Sequence, residues 1–279
     1  MADGGTHTNA LEYVRVYSGD HPHIPLGRRI KVRLHRIRRL FGGEADDFNW
    51  AVYPLHYRAE HAFNRRYFTD DLREVEFTFR DGKLYLLSDC KPLSPPHRCL
   101  MEAICNLRGV KTIAEIGVGG GRYLASLQAI LGEGVELSGY DLSPGQLAFF
   151  RDLFPDVFSR VHTGILDVTS SAIPAGVRPD VVYASTVLMH IQREDAYQRA
   201  LGNFLASAGS FAVLMDDWQS HSYYRDLTDF VSRDSPRRLY VYDSGASVAA
   251  VVSLNGAELP APYMPLTSPS MLDRYRNVA

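Results

Sequence analysis

From residue 111 onward, short apolar segments alternate with longer segments whose apolar residues recur at helical spacing. The apolar segments have the length of strands, and the segments between them are long enough for helices that cover a sheet. This alternation predicts a parallel sheet with helices on both faces. The predicted strands are 112–116, 136–140, 161–166, 181–184 and 211–215, and the predicted helices are about 121–131, 144–153, 193–206 and 222–231.

The pattern changes near the end of this region. Two strand-like segments, 239–242 and 248–254, flank the turn sequence Asp243-Ser244-Gly245. A turn this short joins antiparallel strands, so the last strand is expected to run antiparallel to the others. The predicted fold class is therefore α/β, with a parallel sheet that ends in an antiparallel strand.

The first 110 residues are organised differently. Residues 1–27 hold few apolar positions and are interpreted as a flexible lead-in. Residues 28–41 place apolar side chains on one stripe of a helix and Arg and Lys on the opposite face. Residues 28–39 alone contain seven Arg or Lys and no acid. Such a segment is either a solvated helix packed on the main domain or a surface for a phosphate-bearing substrate, a membrane surface or RNA.

The chain between this helix and the alternating region carries an aromatic-rich segment, a hairpin signal and a helix start. The aromatic-rich segment is residues 46–70. The hairpin signal is Asp81-Gly82, which lies between the period-two segments 75–79 and 84–86. The helix start is Ser94-Pro95-Pro96, and the helix is expected to run to about Leu107. Residues 28–108 are expected to form an α-rich extension with a hairpin. This extension is interpreted as a substrate lid or as an element that joins two subunits into a homodimer.

Composition narrows the class of protein. The chain has 279 residues, 46% of them apolar and 22% charged, which is typical of a globular protein with a buried core. No apolar stretch reaches the roughly 18 residues of a membrane-spanning helix, and the polar amino terminus lacks the apolar core of a secretory signal. We therefore expect a cytoplasmic protein without a membrane span. Cys90, Cys99 and Cys105 have no paired spacing and are expected to be reduced, structural thiols.

A glycine-rich turn follows the first strand of the alternating region. The sequence from Glu115 to Arg122 is Glu-Ile-Gly-Val-Gly-Gly-Gly-Arg. Such a turn lets a ligand approach the backbone closely at the amino end of the next helix. It departs from the GxGxxG pattern of dinucleotide sites, because Arg122 stands at the last position. Glu115 would repel a pyrophosphate and attract an ammonium group, so S-adenosylmethionine fits the site better than a nicotinamide dinucleotide.

The turn resembles the first motif of class I S-adenosylmethionine-dependent methyltransferases, acid-x-Gly-x-Gly-x-Gly. Glu115, Gly117, Gly119 and Gly121 fill this motif completely. The resemblance covers about half of the chain. It implies a Rossmann-like sheet within a core of residues 109–279, with S-adenosylmethionine as the cofactor and these four residues in its binding site.

Two further segments resemble the second and third motifs of the same family. In them Asp141 would accept hydrogen bonds from both ribose hydroxyls, and Leu142 would pack on the adenine. Asp167 would accept from the adenine amino group, and the Val168 amide would donate to the ring. Taken alone, Asp141 is equally well interpreted as a helix cap and Asp167 as a turn residue.

The segment that resembles the fourth motif is expected to bring cofactor and acceptor together. Ser185 follows the fourth predicted strand and is assigned to the cofactor site by the resemblance. The loop continues to Met189-His190, where many small-molecule members have Glu-His. His190 is the predicted general base, because an imidazole with an ordinary pKa near 6.5 accepts a proton at neutral pH. The alternative is a histidine that hydrogen-bonds the loop or lines the cofactor pocket.

Asp216 and Asp217 are the second candidates for catalysis. They follow the fifth predicted strand directly, and His221 comes close behind them. Two acids and a histidine suit Mg²⁺, as in some sugar and catechol methyltransferases. Adjacent residues of a strand point to opposite faces, so only one of the two acids is expected to face the site, and no metal ligands are assigned.

These motifs predict an enzyme that moves a methyl group to a hydroxyl of a small molecule, such as a secondary metabolite or a sugar, or else to an amine or an activated carbon. One alternative is an RNA methyltransferase that holds phosphates with residues 28–39. Against it, the fourth segment lacks the Pro-Pro-aromatic clamp of enzymes that methylate base amino groups, and no cysteine lies near it. The other alternative is a protein that binds S-adenosylmethionine without catalysis, and the intact Glu115, Asp141 and Asp167 argue against it.

Overall fold

The computed structural model describes residues 7–8, 77–80, 82–87, 95–174, 176, 178–233 and 236–274 of the chain. The basic segment 28–41, the aromatic segment 46–70 and Cys90 lie outside the described residues, as does the lead-in apart from residues 7–8. The division of the chain into lead-in, extension and core therefore stays a prediction.

Strands and helices alternate through most of the described chain. The strands are β1 (His7–Thr8), β2 (Phe77–Arg80), β3 (Lys83–Leu87), β4 (Thr112–Ile116), β5 (Glu136–Asp141), β6 (His162–Ile165), β7 (Val181–Ser185), β8 (Phe211–Met215), β9 (Arg238–Asp243), β10 (Val248–Ser253) and β11 (Tyr263–Pro265). The α-helices are α1 (Pro95–Cys105), α2 (Arg122–Leu131), α3 (Pro144–Leu153), α4 (Pro155–Phe158), α5 (Glu194–Ser207) and α6 (Tyr223–Arg233). Short 3₁₀-helices include Gly132–Gly134, Leu188–His190 and Pro269–Met271.

Eight of these strands form one sheet in the order β11-β9-β10-β8-β7-β4-β5-β6. The strands from β8 to β6 in this order are parallel to their neighbours. At the other end, β10 is antiparallel to β8, β9 to β10, and β11 to β9. The predicted α/β fold with an antiparallel end is confirmed. The antiparallel part is larger than predicted because β11, with 3 residues, is too short to show a pattern in the sequence.

The sheet is buried on both faces. Alternate residues of its central strands face opposite sides, one packed against α1 and α2 and the other against α5 and α6. All residues of β7 and β8 are buried, which explains the unbroken apolar sequences of residues 181–184 and 211–215. None of the helices in the described residues has the length and apolar character needed to cross a membrane.

The strand order determines where a ligand can bind. The chain passes from β4 to β5 and β6 on one side of β4, and then crosses to β7 and β8 on the other side. At such a crossing the loops that follow neighbouring strands diverge and leave a crevice at the carboxyl edge of the sheet. The carboxyl ends of β4 to β8 and the loops that follow them all lie along this edge, and they contain the predicted site residues.

The hairpin and the helix predicted before the alternating region are both present. β2 and β3 pair antiparallel with Arg80 opposite Lys83, and Gly82 in the turn has a φ of 73°. β1 joins β3 on its other side. The helix predicted from Pro95 is α1, which ends at Cys105.

Glu102 of α1 joins this hairpin to the main sheet and is 1% exposed. Its Oε1 accepts hydrogen bonds from the Leu84 amide at 3.0 Å and from Arg98 Nε at 2.9 Å. Its Oε2 accepts from Tyr242 Oη at 2.6 Å and lies 3.5 Å from Lys83 Nζ. Arg98 also donates to the Leu84 carbonyl. One buried carboxylate therefore connects β3, α1 and β9.

The two cysteines within the described residues are free thiols. Cys99 is buried, Cys105 is half-buried, and burial raises the pKa of each thiol to about 12. Thiols of this kind are unreactive, as expected for structural residues.

Candidate active site

The three glycines of the first motif differ in what surrounds them. Gly117, Gly119 and Gly121 all have positive φ, at 77°, 52° and 75°. A Cβ on Gly117 would lie 2.3 Å from Val187 Cγ2, and one on Gly121 would lie 1.9 Å from Phe150 Cδ2. A Cβ on Gly119 would have no atom within 4 Å. Packing inside the domain therefore requires glycine at the first and third positions, whereas Gly119 presents its backbone to open space, where a ligand can approach.

Glu115 lies beneath this turn with its side chain buried. Tyr183, its register partner on β7, donates a hydrogen bond from Oη to Glu115 Oε2 at 2.9 Å. Burial raises the pKa of Glu115 well above its usual value, against the effect of the Tyr183 bond, and the nearby Asp141 carboxylate raises it further. A buried carboxylate of this kind is stabilised when a cation arrives.

Asp141 connects the end of β5 to the glycine turn. Its Oδ2 accepts from the Gly119 amide at 2.9 Å, and its Oδ1 accepts from the Ser143 amide at 2.8 Å. Burial raises the pKa of this carboxyl, and the two amide bonds act in the opposite direction. Each carboxylate oxygen has a second acceptor position, so both can still accept from neighbouring hydroxyls.

Two apolar side chains lie exposed near Asp141. Leu142 is 43% exposed, and Ile165, the register partner of Asp141 on β6, is 57% exposed. The second motif predicts the role of Leu142, whereas no sequence motif points to Ile165. Its exposure follows from the position of β6 at the end of the sheet, which the sequence pattern does not reveal. Together the two residues offer apolar surface next to a carboxylate.

Asp167 holds a tight turn after β6. Its carboxylate accepts from the Thr169 amide at 2.9 Å, from Thr169 Oγ1 at 2.6 Å and from Ser170 Oγ at 2.8 Å. Burial raises the pKa of Asp167, but these bonds and the charge of Arg199 outweigh burial and lower it. The turn interpretation is thus what the structure shows, and a contact to adenine stays a proposal. Val168, next to it, is buried.

A polar chain that the sequence analysis did not find links α1 to the end of β7. Ser185 Oγ donates to Tyr123 Oη at 3.2 Å, and the Tyr123 ring packs against His97 with centroids 4.5 Å apart. His97 is buried and bonded to Ser126 Oγ at 2.9 Å, and burial lowers its pKa well below the usual value. The sequence does hold one sign of this contact, because Tyr123 follows the glycine turn directly and an aromatic hydroxyl there can reach the ends of the neighbouring strands.

Thr186 has an unusual backbone conformation at the centre of the site. Its φ is 55°, a value that β-branched residues adopt rarely and at a cost of about 1–3 kcal/mol. Its amide donates to the Met215 carbonyl at 2.9 Å, and its hydroxyl donates to the Ser185 carbonyl at 2.7 Å. These bonds fix the start of the loop that leads to His190.

The three residues predicted for catalysis differ in burial and in their hydrogen-bond partners. His190 is half-buried in the 3₁₀-helix after β7, and burial lowers its pKa. Asp216 is 1% exposed, and its Oδ2 accepts from the amides of Leu188 and Met189 at 3.0 and 3.2 Å. Burial raises the pKa of Asp216 to about 7. Asp217 is half-buried, and its carboxylate accepts a hydrogen bond from the amide two residues on.

The magnesium alternative requires Asp216, Asp217 and His221 to converge. Instead, the Asp216 carboxylate binds backbone amides, and His221 Nε2 lies 3.0 Å from the Leu188 carbonyl oxygen. Within the described part of the chain, no three His, Cys, Asp or Glu side chains are grouped so that they could hold a metal ion. The geometry does not support that alternative.

A comparison with protein families bears directly on this geometry. Residues 114–213 match the model of a family described as a methyltransferase domain. The match contains the glycine turn, Asp141, Asp167 and the loop with His190. This part of the chain is a methyltransferase domain, in agreement with the resemblance of its first motif to S-adenosylmethionine-dependent enzymes.

Several solved structures resemble the chain at low identity. A SAM-dependent methyltransferase from Aquifex aeolicus is 13% identical over 57% of this chain and 92% of its own, with a TM-score of 0.42. The N-methyltransferase NodS from Bradyrhizobium japonicum is 13% identical over 56% of this chain and 83% of its own, with a TM-score of 0.42. The CurJ carbon methyltransferase is 14% identical over 55% of this chain, with a TM-score of 0.41, and the chain spans 51% of its length. Curated protein sequences gave no match.

Proposed function

We propose that the protein transfers a methyl group from S-adenosylmethionine to a hydroxyl of a small molecule, such as a secondary metabolite or a sugar. An amine or an activated carbon is the alternative acceptor. The observation that carries the proposal is the position of a half-buried histidine, His190, in the loop after β7, at the same edge of the sheet as a turn and two carboxylates suited to this cofactor. The roles given to residues 28–108, as lid or dimer element, and the cytoplasmic location stay predictions.

The residues at the carboxyl edge fit the three parts of the cofactor. The buried Glu115 carboxylate suits its ammonium group, and the backbone at Gly119, four residues on, is open to the ligand. The spare acceptor positions of Asp141 suit the two ribose hydroxyls. The exposed apolar surface of Leu142 suits an adenine ring. The remaining assignments from the motifs, which are Gly117, Gly121, Asp167, Val168 and Ser185, belong to the same proposal.

Binding of the cofactor is expected to weaken as the pH falls. Burial raises the pKa of Glu115 well above its usual value in the free protein, whereas an ammonium group beside it favours the ionised form. Below the raised pKa, binding must therefore release a proton, and the Kd rises by up to about tenfold per pH unit. Calorimetry between about pH 5.5 and 7, in buffers of different ionisation enthalpy, measures both the Kd and the proton release.

The Glu115→Gln variant is the control for this titration. Its amide does not ionise, so its affinity is expected to be lower overall and to change little with pH. A wild-type Kd that is constant across the range, with no proton released, would show that Glu115 does not meet the ammonium group.

His190 is proposed to act as the general base. When bound, S-adenosylmethionine supplies a methyl group on a positively charged sulfur that is already activated for displacement. Burial lowers the pKa of His190, so the imidazole is neutral near pH 7 and can take the proton that the acceptor hydroxyl loses as its oxygen bonds to the methyl carbon. An amine acceptor would need no base before attack, because its lone pair is already available.

Replacement of His190 by alanine is expected to lower kcat on a hydroxyl acceptor at least about 100-fold, which is typical of a lost general base. The Kd for S-adenosylmethionine should change less than about twofold, because none of the proposed cofactor contacts involves this side chain. His162→Ala is the matched control, since His162 is an exposed histidine at the amino end of β6, away from the carboxyl edge of the sheet. Wild-type turnover in His190→Ala would assign this histidine a structural role.

The acceptor can be found by incubating the protein with S-adenosylmethionine labelled on the methyl group and with extracts of its source cells. A labelled small molecule is the expected product, and its chemistry distinguishes O-, N- and C-methylation. Label that appears in RNA, with affinity that falls steeply with salt, would support the nucleic-acid alternative instead. Binding of S-adenosylmethionine without any labelled product would indicate a protein that binds the cofactor without catalysis.

A further inference from the structure

We propose that Asp216 and His221 are positioning residues, which clamp the turn 188–190 from both sides of its backbone and thereby fix the direction of the His190 side chain. This role rests on the proposed function, in which His190 is the base. In this role Asp216 acts through the backbone of the turn and does not contact the substrate. His221, which had been considered only as a metal ligand, gains a different role.

Asp216 holds the donor side of the turn. Its Oδ2 accepts from two successive amides, those of Leu188 at 3.0 Å and Met189 at 3.2 Å. Its Oδ1 accepts from the Asp217 amide at 3.0 Å, which fixes the orientation of the carboxylate. The side chain is 1% exposed, so water does not compete for these bonds.

His221 holds the acceptor side of the same turn. Its Nε2 lies 3.0 Å from the Leu188 carbonyl oxygen, and because a carbonyl only accepts, Nε2 must carry the proton. The imidazole stacks on the Tyr197 ring with centroids 3.7 Å apart and planes inclined by 6°. Tyr223 packs edge-on against it at 5.5 Å. These aromatic contacts keep the ring in the plane that the hydrogen bond needs.

A clamp is needed because the turn is too short to hold itself. The 3₁₀-helix has 3 residues, and within it the His190 amide bonds to Val187 and the Ile191 amide to Leu188. Helices of this length have poor hydrogen-bond geometry. With both the amide and the carbonyl of Leu188 bound to the loop after β8, the backbone that carries His190 cannot rotate away from the carboxyl edge.

The test follows the His190 ring and the backbone amides by NMR, on protein with labelled backbone and histidine nitrogens, free and saturated with S-adenosylhomocysteine. His221→Phe keeps the aromatic stack but removes the donor, whereas His221→Gln keeps a donor without the ring. In His221→Phe we expect the His190 ring signals to shift and the Leu188 and Met189 amides to exchange with solvent at least about tenfold faster. His221→Gln should restore exchange to within about threefold of wild type. Asp216→Asn replaces one of the two accepting oxygens by a donor, although both oxygens accept from amides in the wild type, and it should resemble His221→Phe.

Wild-type ring signals and exchange rates in both His221→Phe and Asp216→Asn would overturn the clamp. So would faster exchange in His221→Gln than in His221→Phe, since that would assign the role to the aromatic stack, which Phe keeps, and not to the hydrogen bond. If Asp216→Asn does not fold, the two His221 variants still decide the question. Because the measurement needs no acceptor and is made on free protein as well, failure of S-adenosylhomocysteine to bind would count against the proposed function and leave the clamp tested separately.

Discussion

Replacement of Asp141 by alanine is expected to raise the Kd for S-adenosylmethionine about 1,000-fold, equivalent to about 4 kcal/mol. The proposed bonds from two ribose hydroxyls to this carboxylate are charge-assisted and contribute about 1.5–3 kcal/mol each. The same change removes the acceptor for the Gly119 amide, which holds the glycine turn 2.9 Å from the carboxylate. Calorimetric titration with S-adenosylmethionine measures the effect.

Asp180 provides a matched control at the opposite edge of the sheet. Its Oδ2 also accepts from two backbone amides, those of Lys111 at 2.8 Å and Thr112 at 3.0 Å. Asp180→Ala therefore removes a similar pair of bonds far from the carboxyl edge, and its Kd is expected to stay within about twofold of wild type. Should Asp141→Ala also bind S-adenosylmethionine within about threefold of wild type, the ribose contact would be refuted.

Replacement of Glu102 by alanine is expected to lower the free energy of unfolding by about 3–5 kcal/mol. Arg98, only 6% exposed, would keep its charge and lose the carboxylate that neutralises it. The Leu84 amide and the Tyr242 hydroxyl would lose their acceptor as well. Denaturant titration, followed by circular dichroism, measures the change.

Two further variants separate the effect of charge from the loss of side-chain volume. The double variant Arg98→Met with Glu102→Leu removes both charges and should recover more than half of the lost stability, because a buried ion pair can be replaced by apolar side chains. Glu133→Gln removes a carboxylate that is 89% exposed and lies 3.8 Å from Arg160, and no measurable change is expected. A double variant as unstable as Glu102→Ala would show that the network does not act through its charges.

The network at Glu102 also bears on how the amino-terminal part of the chain meets the site. α1 carries Glu102 towards its end and His97 in its first turn. His97 contacts Tyr123, which accepts a hydrogen bond from Ser185 at the carboxyl edge. One helix therefore connects the hairpin to the neighbourhood of the glycine turn, and a change in the docking of α1 would reach the residues around Ser185.

Local sequence was enough to predict the elements whose surroundings or backbone conformation restrict which residues they can contain. Residues 181–184 of β7 and the whole of β8 are recognisable because strands buried on both faces need unbroken apolar segments. The glycine turn is recognisable because a left-handed backbone at three alternate positions favours glycine. β11 and the exposure of Ile165 were not predictable, since the first is too short for a pattern and the second depends on which strand ends the sheet.

The sequence by itself determined that Glu115, Asp141 and Asp167 lie at or next to the carboxyl ends of strands, because alternation and turn residues act between near neighbours in the chain. Only the tertiary structure decided the partners of Glu115 and Asp216. Tyr183 reaches Glu115 across 68 positions because β7 pairs with β4. Asp216 turns inward to the loop of His190 because β8 lies beside β7. Such contacts follow from the order of strands in the sheet, and that order is set by packing over the whole domain.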